Sequence, residues 1–365
     1  MADIFHNSGD FDTIDERLDA INKKIEELHR QKYIIECSDP DLGRLAPDNR
    51  DSEETWKRYV EMMRKVWFFE EMSPYKDRES FASLSYDMKE LLRRILGYFL
   101  IADSGVNNVI AARYLTCPPT NARGLFLRAQ AANEDVHFLT YKEFEAEFFG
   151  SLEEVLPGIN ASLATRKKIA FLEKYAMSEE PIYIIEAVSA CTEGIFFCCL
   201  FAVIFWFRAQ GKLHEFVRAN QSISSDETTH RDAFLGFVNE DIERLCKTKE
   251  EKDSAYARVR EIVLEAVEVE KTFIRELLPQ DICELTYGAL EEYVKVTAND
   301  LMYEFNKTRI FPGAKNPFPW VDEISMDRKA NFFERTPGGY EKLNADVDIS
   351  SSNIDPYSQL FEIDM

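Results

Sequence analysis

A long apolar run constrains the fold of this chain more than any other feature. Residues 182–207 are almost entirely apolar, and a transmembrane helix needs only about 20 such residues. Two carboxylates, Glu186 and Glu193, interrupt the run, and the uninterrupted part from 194 to 207 has 14 residues. A charged carboxylate in an apolar helix is costly unless it is paired or binds a metal. The run therefore predicts a buried helix in a soluble bundle rather than a membrane span, and Glu193 needs a partner.

Charge and cysteine content argue against several classes of protein. The 365 residues include 44 Lys and Arg against 66 Asp and Glu, which gives a net charge of -22. Such an acidic chain lacks the basic surface that binds nucleic-acid phosphates or anionic membranes. The seven cysteines are scattered and form no Cys-x-x-Cys motif, which argues against a disulfide framework and a thiolate zinc site. The N-terminus lacks the features of a signal peptide, so a reducing, cytoplasmic compartment is expected.

The pattern of apolar residues divides the chain into three parts. Residues 1–50 are predicted to form an N-terminal arm with one amphipathic helix, because apolar residues recur there at spacings of three and four. Residues 51–320 have a helical pattern with breaks at prolines and no run of alternating strands, which predicts an all-α bundle. Residues 321–365 are predicted to form a flexible, acidic C-terminal tail. The tail ends in a cluster of apolar residues, Leu360, Phe361, Ile363 and Met365.

Two of the five histidines follow a glutamate by three residues inside the helical region. In Glu134-Asp-Val-His137 and in Glu227-Thr-Thr-His230, the carboxylate and the imidazole share one helix face. Di-iron carboxylate bundles combine two such Glu-x-x-His helices with one acidic residue from each of two other helices. A single motif is weak evidence, because a third copy at residues 26–29 lies on the polar arm, where a solvated surface is expected.

Two isolated acids precede these motifs in apolar surroundings. Asp103 lies 31 residues before Glu134, and Glu193 lies 34 residues before Glu227, distances that a helix, a turn and a returning helix cover. Two divalent cations would neutralise these four carboxylates, and oxygen and imidazole ligands suit iron or manganese. The sequence therefore predicts a ferritin-like helical bundle with a four-helix di-metal core and additional helices. The alternative is a set of core ion pairs without metal.

Tyr141 indicates what such a metal centre is for. It lies one helical turn after His137 on the same face, so its ring can stand near the metals. Phe197, Phe201 and Ile223 lie one or two turns from candidate ligands and could line a dry apolar pocket around Tyr141. Such a pocket would protect a one-electron-oxidised phenol from solvent and reductants. The alternative is that these residues serve only core packing.

Seven segments form an ordered set of motifs. They are Val66-Trp67-Phe-Phe-Glu-Glu, Ala102-Asp103-Ser-Gly-Val-Asn, Glu134-Asp-Val-His137 with Tyr141, Thr192-Glu193-Gly-Ile-Phe-Phe, Ile223-Ser-Ser-Asp226-Glu227-Thr-Thr-His230, Asn316-Pro-Phe-Pro-Trp320, and Asn331-Phe-Phe-Glu334 with Tyr340. In order and spacing, this set resembles the small subunit of class I ribonucleotide reductase over most of the chain. The resemblance implies an oxidoreductase subunit that is active only with its large subunit and supports the reduction of ribonucleotides to deoxyribonucleotides.

The resemblance also implies a role for each matched residue. The six metal ligands would be Asp103, Glu134, His137, Glu193, Glu227 and His230. Tyr141 would carry a stable radical, formed when two reduced iron ions, or manganese ions in their place, react with dioxygen. Trp67, Asp226 and Tyr340 would belong to the electron path out of the subunit, with Asp226 hydrogen-bonded between His137 and Trp67. The apolar end of the tail would dock on the large subunit, and the small subunit would form a homodimer.

Some residues depart from the family pattern, and other hypotheses remain open. Ser225 stands where the family usually has arginine, which puts the ion pairing near Asp226 in doubt. Cys198 and Cys199, beside the phenylalanines, are interpreted as small core groups. A ferritin-like di-iron oxidase or monooxygenase acting directly on a small molecule or acyl chain would also explain the ligands. A non-enzymatic scaffold or iron store is the third hypothesis.

Overall fold

The computed structural model describes residues 53–115, 121–150, 162–176, 178–278 and 280–321, together with residues 23, 24 and 27. Within these ranges the chain is helical and forms no strand, apart from an isolated bridge between Ile282 and Leu285. The predicted all-α class is therefore confirmed. The predicted arm and tail lie almost entirely outside the described residues, so the division into three parts stays a prediction.

Helices longer than one turn form the scaffold of the described residues. In chain order they are α1 (Glu53–Arg64), α2 (Arg78–Ala82), α3 (Tyr86–Val109), α4 (Asn121–Phe149), α5 (Leu163–Ala176), α6 (Ile182–Ala209), α7 (His214–Leu245), α8 (Lys249–Leu277) and α9 (Tyr287–Asn306). Two 3₁₀ turns, Phe69–Glu71 and Pro74–Asp77, separate α1 from α2, and a π-helical turn, Ile110–Tyr114, continues α3.

The long apolar run forms α6, the central helix of the bundle. All its residues from Ile182 to Phe207 except Tyr183 are buried, and it packs against α5, α7, α8 and α9. Two described stretches, Tyr86–Tyr114 and Ile182–Ala209, have the length and apolar composition of a membrane span. The most apolar window of the second is wholly buried inside the molecule. This confirms the prediction of a buried core helix, because neighbouring helices already cover its apolar surface.

Two pairs of helices position the polar residues of the core. Helix α3 packs along α4, and α6 packs along α7, while α4 and α7 also contact each other. A tight turn joins α6 to α7 without proline, and both Gly211 (φ 66°) and Leu213 (φ 52°) adopt left-handed backbone conformations there. The proline pattern missed this turn, because a glycine can reverse the chain by its positive φ alone.

A buried aspartate from a distant segment caps the start of α7. The carboxylate of Asp77 accepts backbone hydrogen bonds from Glu215 (3.2 Å) and Phe216 (2.7 Å). These N–H groups have no partner within the helix, so the cap satisfies donors that would otherwise be buried. Burial raises the pKa of Asp77 against the effect of these two bonds. The cap fixes where α7 begins and therefore which of its residues face α4 and α6.

Candidate metal centre

The six predicted metal ligands come from four helices that meet in the core. Asp103 lies on α3, Glu134 and His137 on α4, Glu193 on α6, and Glu227 and His230 on α7. All six side chains are buried, none exposing more than 4% of its surface. Single ligand atoms of Glu134, Glu193, Glu227 and His230 lie within 4.8 Å of one another. Residues far apart in sequence therefore converge on one buried site.

The two imidazoles contact the same two carboxylates. His230 Nδ1 lies 3.1 Å from Glu134 Oε1 and 3.1 Å from Glu227 Oε2. His137 Nδ1 lies 3.3 Å from Glu134 Oε2 and 3.0 Å from Glu227 Oε1. The ring centroids are 6.1 Å apart. Each glutamate thus presents one oxygen to each histidine, an arrangement in which two carboxylates lie between two nitrogen ligands.

The other two acids have oxygens without partners. Neither carboxylate oxygen of Asp103 has a hydrogen-bond partner within the part of the chain that the structure describes, and the same is true of Glu193 Oε2. Glu193 Oε1 accepts a hydrogen bond from Gln130 Nε2 over 2.9 Å. A buried carboxylate without a partner is expensive, and a bound cation removes that cost. The unpartnered oxygens, two imidazoles and absence of thiolate from these six ligands fit a pair of transition-metal ions.

Electrostatic interactions in the cluster are strong. Burial, followed by the charge of Glu134, raises the pKa of Asp103 well above its usual range. Burial, followed by the charges of Glu227 and Glu134, does the same for Glu193. Burial alone would lower the pKa of His230, but hydrogen bonds and charges from Glu134 and Glu227 raise it to about 9. So much negative charge in one buried space attracts cations, whether protons or metal ions.

A hydrogen-bonded path leads from the cluster toward the surface. His137 Nε2 lies 3.2 Å from Asp226 Oδ2, and the same oxygen accepts a hydrogen bond from Trp67 Nε1 over 2.8 Å. The rings of Trp67 and His137 are stacked, with centroids 6.1 Å apart. No arginine is among the partners of Asp226 in the described chain, which agrees with serine at position 225. The structure therefore brings the predicted path residues Trp67 and Asp226 together with the candidate ligand His137.

Tyr141 is fully buried beside the cluster. Its hydroxyl donates a hydrogen bond to Asn220 Oδ1 over 2.9 Å, and its ring stacks on Phe99 with centroids 4.4 Å apart. The ring of Phe99 in turn packs against the rings of Phe197 and Phe201, with centroids 5.4 Å and 5.6 Å away. The predicted phenylalanines thus form the layer behind Phe99 in the apolar surroundings of the phenol.

Sequence reasoning missed three residues of this site. Phe99 covers the ring of Tyr141, Asn220 binds its hydroxyl, and Gln130 binds Glu193. A signal was available, because Phe99 precedes Asp103 by four residues and Gln130 precedes Glu134 by four, the spacing that shares a helix face.

The remaining candidates are either buried or outside the described chain. Ile223 is fully buried one turn before Glu227 on α7. Cys198 and Cys199 are buried thiols with sulfurs 3.9 Å apart, and burial raises the pKa of Cys199 well above its usual range. Tyr340 and the apolar residues Leu360, Phe361, Ile363 and Met365 lie outside the described residues.

Comparison with known proteins agrees with this site. The family described as "Ribonucleotide reductase, small chain" matches residues 49–317. The ribonucleoside-diphosphate reductase small chain of Plasmodium falciparum (isolate Dd2) is 30% identical over 292 residues, which cover 79% of this chain and 81% of that protein.

Two solved structures share the fold at 18% identity. The ribonucleotide reductase R2 subunit from Clostridium botulinum has a TM-score of 0.66, covering 75% of this chain and 89% of that one. The ribonucleotide reductase Rnr4 homodimer from Saccharomyces cerevisiae has a TM-score of 0.65, covering 88% and 99%. The chain therefore belongs to the small-chain family of ribonucleotide reductase, an oxidoreductase family.

Proposed function

We propose that this chain is the radical-generating small subunit of a ribonucleoside-diphosphate reductase. The observation that carries the proposal is the position of Tyr141, a fully buried phenol next to a cluster of carboxylates with unpartnered oxygens. The charges of Asp103, Glu227 and Glu134 all act on this phenol. A phenol beside a cluster that could hold two metal ions, and covered by the ring of Phe99, suits one-electron chemistry.

The six clustered side chains would hold two iron ions, with manganese as the alternative. When bound, such a metal pair supplies one-electron oxidation driven by dioxygen. The protein contributes geometry and proton control. Asp226 orients the imidazole of His137, as outer carboxylates do at metal sites, and Gln130 orients Glu193. Burial, followed by the charge of Asp103, raises the pKa of Tyr141 well above its usual range, so its hydroxyl keeps its proton at neutral pH.

Trp67 and Asp226 would form the start of the route by which an electron crosses the subunit. Their hydrogen bond and the stacking of Trp67 on His137 support this role. Val66 and Phe68, on either side of Trp67, are exposed apolar residues. Tyr340 would continue the route at the large subunit.

The partners of the proposed subunit are a large subunit and a second copy of this chain. The large subunit would bind the apolar end of the tail at Leu360, Phe361, Ile363 and Met365, and would hold the nucleotide substrate. The fold shared with the Rnr4 homodimer supports the second copy. We expect the assembly to be cytoplasmic, where deoxyribonucleotides for DNA replication are made.

A direct oxidase would need room for a substrate beside the metals. The cavity that reaches Glu193, lined by Val106, Thr192 and Phe234 among others, has room for about one water molecule. An acyl chain does not fit in it. This packing favours a phenol of the protein itself as the group that is oxidised.

Changing Tyr141→Phe tests the proposal. After anaerobic loading with ferrous iron and exposure to oxygen, the unchanged protein should give a tyrosyl signal in electron paramagnetic resonance. Tyr141→Phe should abolish that signal while the protein still binds two metal ions. Tyr114→Phe is the matched control, because Tyr114 is equally buried but donates or accepts a hydrogen bond at Ser189 instead. A full signal in Tyr141→Phe would refute the assignment.

Removing residues 358–365 tests the partner. The shortened chain should form the radical as before, because the metal cluster lies in the helical bundle. Ribonucleotide reduction with the large subunit should fall to background. Turnover equal to that of the full chain would refute the docking role of the tail.

A further inference from the structure

The hydroxyl of Tyr141 is hydrogen-bonded to an amide rather than to a candidate metal ligand. Tyr141 Oη donates to Asn220 Oδ1 over 2.9 Å, and Asn220 is completely buried. Asn220 lies on α7, seven residues before Glu227, which places it two helical turns from a candidate ligand on the same face.

The backbone fixes the orientation of this amide. Asn220 Nδ2 donates to the carbonyl oxygen of Phe216, one turn earlier on α7, over 2.8 Å. Because a carbonyl oxygen only accepts hydrogen bonds, the amide nitrogen has to face Phe216 and the amide oxygen has to face Tyr141. Turning the amide over would break one bond and place two acceptors together. Asn220 can therefore accept a hydrogen bond from Tyr141 but cannot donate one to it.

We infer that Asn220 is a positioning residue that binds the Tyr141 hydroxyl through an amide oxygen rather than a cluster carboxylate, and that leaves the oxidised phenol without a hydrogen-bond donor. This inference rests on the proposed radical role of Tyr141. Oxidation of the phenol would break its O–H bond, and the electron would pass to an oxidised metal pair held by the six cluster side chains. The proton would have to leave the bond to Asn220 for a cluster carboxylate, since an amide oxygen is too weak a base to hold it. The phenoxyl oxygen would then face the acceptor oxygen of Asn220, the one hydrogen-bond partner that the described residues give it.

The hydrogen bond itself can be tested in metal-free protein. Ultraviolet resonance Raman spectra of the unchanged protein minus those of Tyr141→Phe isolate this phenol among the 15 tyrosines. The difference should have the signature of a hydrogen-bond donor, and Asn220→Leu should remove or shift it. Asn220→Asp should restore it, because a buried aspartic acid keeps its proton, donates to Phe216 and accepts from Tyr141. A donor signature unchanged in Asn220→Leu, with circular dichroism equal to that of the parent, would overturn the inference.

The radical state gives the second measurement. After exchange into deuterium oxide and radical formation, electron–nuclear double resonance should detect no strongly coupled exchangeable deuteron at the Tyr141 radical. A strong coupling would mean that a donor reaches the phenoxyl oxygen, which contradicts the inference. These results are separable from the proposed function, because a radical that persists in Tyr141→Phe rejects the radical site, whereas the Raman comparison tests Asn220 alone.

Discussion

Two buried acidic clusters lie in this helical bundle, and they are neutralised in different ways. In one of them, Arg123 on α4 contacts Glu186 (3.1 Å), Asp241 (3.0 Å) and Glu240 (2.7 Å). Arg244 adds a second guanidinium, 3.2 Å from Asp241. The chain therefore supplies the cations that these carboxylates need.

The candidate metal centre has no such cation of its own. None of the contacts to its four carboxylates among the described residues comes from lysine or arginine; their basic partners are the imidazoles of His137 and His230. Both oxygens of Asp103 and Oε2 of Glu193 have no hydrogen-bond partner in the described part of the chain. Buried acid alone therefore does not indicate a metal site. The distinguishing feature is a buried cluster of several acids for which the described chain provides neither lysine nor arginine.

The largest effect on the free energy of unfolding is expected when the Arg123 guanidinium is removed. Arg123→Met should lower the free energy of unfolding by about 3–5 kcal/mol, because it leaves Glu186 and Asp241 buried without their partner. Urea unfolding of metal-free protein measures this loss. Arg78→Met is the matched control, since Arg78 pairs with Glu147 but is 70% exposed, and solvent screening should make its cost far smaller. Equal losses in the two variants would contradict the role given to the Arg123 cluster.

Added metal should stabilise the protein by binding at the candidate metal centre and not at the Arg123 cluster. At free ferrous or manganous ion about 100 times the dissociation constant, the free energy of unfolding should rise by about 2.7 kcal/mol per site, measured anaerobically. Arg123→Met should gain the same increment, because the described residues show no contact between the two clusters, and sites without shared partners contribute independently. Failure of two equivalents of metal to raise the unfolding midpoint would count against a metal centre.

The sequence predicts one of these clusters and is silent about the other. Glu186 and Glu193 lie seven residues apart in the same apolar run, two turns along one helix, and nothing local distinguishes them. The repeated Glu-x-x-His spacing identified the partners of Glu193, because that signal is local to each helix. The pairing of Glu186 with Arg123 depends on how α4 and α6 pack, which no local pattern encodes. The same limit applies to Asn220, whose link to Tyr141 crosses from α7 to α4.

Replacing one carboxylate in each cluster should change the free energy of unfolding in opposite directions. These are the smallest effects of the series. Asp241→Asn should lower the free energy of unfolding by about 2 kcal/mol, since it weakens bonds to Arg123 and Arg244. Asp103→Asn should raise it by about 1 kcal/mol in metal-free protein, because a neutral amide no longer has to be protonated beside Glu134. Asp103→Asn should also lower the metal content below two ions, whereas Asp241→Asn should leave it unchanged. Urea unfolding and metal analysis of both variants measure these effects, and destabilisation of the metal-free protein by Asp103→Asn would mean that this carboxylate has a partner within the chain after all.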